Sequence, residues 1–151
     1  MRELTDDKIQ ALIALEYNKK IALAEENFQA IMTQVDPQWK KGVAVEANSP
    51  AEAVKNSVAI LASLIVFEDY CFSQKEVALL TQTLDLDAAA IKKLQYEAKD
   101  YFKDAMFTFE VRLDEVSKEK LAQIMILLAT VDEHASKDEI RWIRKILQFI
   151  L

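Results

Sequence analysis

The octapeptide Asp-Glu-His-Ala-Ser-Lys-Asp-Glu at Asp132–Glu139 has a counterpart in Asp-Tyr-Cys-Phe-Ser-Gln-Lys-Glu at Asp69–Glu76. In each, Asp is followed four residues later by Ser and seven residues later by Glu, with long apolar segments on both sides. The three matched positions are all offset by 63 residues. A constant offset is the signature of an internal duplication, and the pattern within each copy is that of a helical hairpin. In both turns the Ser hydroxyl can accept the amide of the Glu while the Glu carboxylate returns to the Ser amide, a capping box that starts the second arm. Apolar positions correspond along the hairpin as well: Val58 with Leu121, Ala59 with Ala122, Leu64 with Leu127, Val77 with Ile140, Leu80 with Ile143 and Leu84 with Leu147. Two copies of one amphipathic hairpin bury their stripes most simply against each other, about a pseudo-twofold axis.

Composition agrees with an all-α fold. The 151 residues contain one Gly and two Pro, which leaves few sites for tight turns, and 52% of them are apolar. A chain of this length buries roughly 70% of its unfolded surface without staples. We read it as a single all-helical domain of about six helices, 1–151. Its parts are a long N-terminal helix and loop (1–47), a first hairpin (49–86), a linking helix (87–113) and a second hairpin (117–151).

Within that plan Thr5 caps the first helix, whose stripe of Ile9, Ile13, Tyr17, Ile21, Ala24, Phe28, Ile31 and Val35 predicts one uninterrupted helix to Val35. Glu16, Lys19, Lys20, Glu25 and Glu26 read as its solvated face. Asp36-Pro37 ends it, because the residue before Pro is held out of the helical region. The aperiodic 36–48 stretch, with Trp39 and Gly42, reads as a loop able to fold over the core. Ser49-Pro50-Ala51-Glu52 is a capping box with Pro at the first helical position. Asp87 caps the linking helix, with Leu86 and Ile91 as its hydrophobic staple, and the apolar spacing carries that helix through Ala98 and Tyr101 to Ala105. From Phe107 to Leu113 the pattern alternates, so helix and extended strand both stay open. Ser117 or a neighbour caps the next helix.

These residues resemble the TerB-like family of tellurite-resistance proteins, over roughly 57–86 and 120–151 and more weakly over 102–113. The resemblance implies an all-helical domain with two such hairpins. It also implies association with metal-stress or tellurite-resistance systems, divalent cation binding through acidic residues, and protein interaction near a membrane surface. Family members commonly place Gly after the turn Asp, where this chain has Tyr70 and Glu133, so its turns should differ in geometry. The N-terminal residues to about Ala47 look like an addition.

Pseudo-twofold packing would bring Asp69, Asp132, Glu76 and Glu139 into one acidic site for a hard cation such as calcium, which takes oxygen ligands. The competing reading makes Ser and Glu local caps and each Asp an acceptor for its own turn. An EF-hand is excluded, because seven residues from Asp to Glu cannot form its twelve-residue loop. Cys71 and His134 occupy equivalent turn positions, which leaves a Cys-His or carboxylate enzyme, or a mixed zinc site, as alternatives. No Gly-rich phosphate loop and no Glu-x-x-His pair accompanies them. A non-enzymatic role is therefore expected.

The net charge of −6 disfavours nucleic acid as a partner. The longest apolar runs, 58–67 and 121–131, are about half the ~20 residues of a membrane span, so they read as buried helices. An acidic N-terminal stretch and a single Cys fit the cytoplasm. The expected partner is a protein, with a homodimer as a further option built on an apolar patch of the first helix. Lys137, Arg141, Arg144 and Lys145 of the last helix read as solvated, with contact to a membrane surface as the alternative.

Overall fold

A computed structural model describes residues 4–66, 74–131, 144, 145, 147, 148 and 150. Among these the chain forms seven helices and no strand: α1 (Asp6–Ile13), α2 (Tyr17–Val35), α3 (Pro50–Val66), α4 (Gln74–Leu84), α5 (Ala88–Glu97), α6 (Phe102–Arg112) and α7 (Glu115–Ala129). The described residues from Arg144 onward are helical too.

Helix α7 is the centre of the molecule. Every residue from Leu121 to Val131 is buried except Gln123, which is half-buried. A helix apolar on all sides must have neighbours on all sides, and α7 packs against α1, α2 and α3. Its most extensive partner is α2, and the pair is tied by three polar rungs. Lys20 Nζ donates to the Thr130 carbonyl at 2.7 Å, Asn27 Nδ2 to Gln123 Oε1 at 3.2 Å, and the Ser117 hydroxyl to Gln34 Oε1 at 2.9 Å. On α2 the rungs are seven residues apart, and their partners descend along α7, so the helices run antiparallel. A seven-residue repeat keeps one seam of a helix against its partner over several turns.

Helix α3 lies on α7 and carries α6 on another face, while α4 contacts α2 and α3. Most duplicated positions share burial: Val58 and Leu121, Ala59 and Ala122, Leu61 and Ile124, and Ala62 and Met125 are all at most 1% exposed, whereas Leu64 is half-buried and its counterpart Leu127 is fully buried. Leu147 and Ile150 add to the same core.

The local signals behave as their chemistry requires. Thr5 accepts from the Lys8 amide at 3.3 Å and Asp87 from the Ala90 amide at 2.7 Å. Leu86 and Ile91, expected as the staple, are both buried. Ser49 Oγ accepts the Glu52 amide at 3.1 Å, but the Glu52 carboxylate takes the amide of Asn48 rather than that of Ser49. The cap of α7 is Asp114, which accepts from the Ser117 amide at 2.8 Å. Ser117 is buried and spends its hydroxyl on α2 instead.

Two helices read as continuous are broken. The expected first helix stops at Ile13 and restarts at Tyr17, with Glu16 extended. The break turns Leu12 inward and packs Leu15 against the core, leaving Ile13 and Tyr17 39% and 38% exposed. Similarly, the chain turns over Ala98–Tyr101, so that Phe102, Ala105 and Phe109 meet the core while Tyr101 stays outside. The alternating stretch after Phe107 is helical. Ala105, Phe109 and Leu113, four apart, face inward, and Phe107 and Val111 face out.

The rungs predict non-additive mutations. Asn27→Leu or Gln123→Leu alone should each cost about 1–3 kcal/mol in urea unfolding, the penalty for a buried group left unpaired. The double variant should cost clearly less than the two singles together, and strict additivity would show that this rung is not an interaction.

Candidate functional site

Asp69, Asp132 and Glu139 lie outside the described residues, as do Cys71 and His134, and Glu76 is described only as part of the α4 backbone. What the structure defines is the framework around the two turns. The first turn is flanked by the end of α3 and the start of α4, which pack together, and the second follows α7.

The end of α7 is built in detail. Thr130 is its C-cap; the Thr130 amide and hydroxyl both donate to the Ile126 carbonyl, at 3.1 and 2.8 Å. Its own carbonyl would be one of the orphan acceptors of a helix end, and Lys20 satisfies it. Lys20 is only 2% exposed, contrary to its expected place on the solvated face of the first helix. The position is favourable for a cation, because unpaired carbonyls give a helix C-terminus its partial negative charge. The aliphatic stem can lie along the α2–α7 seam while the ammonium bonds at its end. The remaining members of the expected polar face behave as read: Glu16, Lys19 and Glu26 are exposed and Glu25 is half-buried.

A sequence signal for Lys20 existed. Lys20, Ala24, Asn27 and Ile31 follow a four-three-four spacing, the row of a buried helix face, and all four are buried. A row that mixes Lys and Asn with Ala and Ile reads as solvated only if polarity is weighed residue by residue.

Among the described residues no three His, Cys, Asp or Glu side chains come together to hold a metal ion. No described helix is long and apolar enough to cross a membrane. Arg144 and Lys145 are exposed. On α1 and α2 the exposed large apolar side chains are Ile13 and Tyr17, at the helix break. Larger ones occur on α6, where Phe107 is 70% and Val111 57% exposed, one turn apart.

A surface groove of about 370 Å³ lies at the α4–α5 corner, lined by Gly42, Val43, Lys55, Thr81, Asp85 and Asp87. Comparison of the chain with family models, with curated proteins and with solved structures gave no match.

The role of Lys20 is directly measurable. Lys20→Met keeps the stem and removes the donor, so it should destabilise the fold by about 1–3 kcal/mol, the cost of an unpaired buried carbonyl. Lys20→Ala should cost more, because it also removes the packed stem. Equal stability of all three proteins in urea titrations would show the contact to be incidental.

Proposed function

We propose that this chain is a non-enzymatic, TerB-like helical protein of the tellurite- and metal-stress resistance kind. It acts through a protein partner and binds a divalent cation such as calcium at its acidic turns. The observation that carries this reading is the duplication. The Asp-x3-Ser-x2-Glu pattern recurs at a fixed offset, and most of the paired apolar positions preceding it in α3 and α7 have matching burial, which supports two equivalent hairpins on one core. Asp69 and Glu76 in one turn and Asp132 and Glu139 in the other are the oxygen donors suited to a hard cation.

The test is calorimetric and thermal titration of the protein with calcium and with magnesium. Calcium should release or absorb heat and raise the melting temperature; at a hundred times the dissociation constant it adds about 2.7 kcal/mol of stability. Asp69→Asn combined with Asp132→Asn should abolish both effects. No heat and no melting shift at millimolar metal would end the cation part of the proposal. The stress role is tested separately: cells expressing the chain should tolerate more tellurite than controls, and equal tolerance would count against it.

A further inference from the structure

The 36–48 segment that joins α2 to α3 is attached to the helices at a few definable points. Trp39 is its apolar anchor, 8% exposed, with its ring edge-on to Phe28 at a centroid distance of 5.8 Å. The indole Nε1 is buried and has no acceptor among the described residues, so packing is what holds the ring there. Lys41 pairs with Glu25 on the exposed side of α2. The amide of Gly42 donates to Asp85 Oδ2 at 3.0 Å, and Lys55 Nζ of α3 lies 3.7 Å from the same oxygen. Asp85 follows the end of α4, so its carboxylate joins the segment to the α4–α5 corner.

Backbone strain is concentrated at the same places. Among the described residues the left-handed region holds Gly42 (φ +83°), Asn48 (φ +62°) and Asp85 (φ +51°). Two of these belong to the segment and the third is the residue it is tied to. Gly occupies that region freely, whereas Asn and Asp are only the better tolerated of the other residues. Opening would free Asn48 from its left-handed conformation and return the indole N–H to water. What resists opening is the burial of Trp39 and the bonds to Asp85 and Glu25. The groove of about 370 Å³ at the α4–α5 corner is walled by Gly42 and Val43 on one side and by Lys55, Thr81 and Asp85 on the other.

We infer that residues 36–48 form a strap latched by Asp85, which opens as a unit, removing one wall of this groove and baring the Trp39 slot on Phe28, while the helices stay folded. Although Trp39 and Val45 of the strap pack on the core, the α2–α7 rungs and the α3–α7 contact are made without it. Opening is therefore a local event, with a free energy well below that of global unfolding.

Hydrogen exchange and tryptophan fluorescence test this. Asp85→Gly removes the latch and places at φ +51° the residue that favours it, so any loosening comes from the lost carboxylate. Exchange of the amides from Trp39 to Val45 should quicken roughly ten- to hundredfold, the loss of a hydrogen bond to a charged acceptor read as an opening constant. In a Trp142→Phe background the Trp39 emission should shift to the red. Exchange in α3 and α7 should stay unchanged. Gly42→Ala gives an independent arm: a Cβ there meets nothing within 4 Å, so it acts through the backbone conformation alone and should loosen the strap in the same way. Strap exchange that is unchanged in both variants overturns the proposal, as does exchange that rises in step with α7.

Discussion

The antiparallel pairing of α2 with α7 depends on polar groups buried where apolar ones would be expected. Apolar stripes alone would let α2 slide along α7 by a turn, or reverse, at modest cost, because hydrophobic burial has no direction. The rungs remove that freedom. Lys20 and Asn27 of α2 and Ser117 of α7 are buried and each needs its partner at one place on the facing helix, and a slip of one turn would leave these groups unpaired at once. Each rung adds little net stability when satisfied and costs much more when broken. Their main effect is thus on register, the use of buried polar groups best attested in coiled coils.

With α2 and α7 fixed, the rest of the chain has few choices. Helix α3 fills the next face of α7, α6 covers α3 through Ala105 and Phe109, and α4 is set between α2 and α3. The ion pair of Lys118 with Glu110, at 2.9 Å, links the start of α7 to the end of α6 but leaves Glu110 largely exposed, so it adds little energy. Lys20 reaches the C-terminal end of α7, so one contact both fixes the seam and satisfies a helix-end carbonyl.

Much of this architecture was legible in the sequence, because helix ends are written in local chemistry. Thr5, Asp87 and the Ser49 box cap helices where their side chains predict, and Asp36-Pro37 terminates α2. The breaks at 14–16 and 98–101 were not legible. Neither has Pro or Gly, and each arises because tertiary packing rewards turning Leu12 or Phe102 inward more than it rewards an unbroken helix. Over 107–113 the alternation of apolar residues is equally consistent with a four-residue helical row, Ala105, Phe109 and Leu113, carrying two exposed apolar neighbours. Lys20 was missed for a different reason. Its burial depends on an acceptor 110 residues away, which no local pattern shows. The metal candidates Asp69, Asp132, Glu76 and Glu139 were found from repetition alone, a signal of architecture first and of chemistry second.

The treatment of buried polar groups divides the molecule into two kinds of structure. Along the α2–α7 seam the rung groups have partners, and a seam of that sort opens only when the fold is lost. Among the described residues the buried indole N–H at the strap has no acceptor, and the left-handed residues lie within the strap and at its latch. Natural sequences place such local conflicts where a structure has to give. A chain that aligned its central helices by satisfying buried polar groups, yet left Trp39 Nε1 without an acceptor among the described residues, has placed a local conflict in the segment that joins α2 to α3. The helices and the groove wall they supply can then remain fixed while that segment moves.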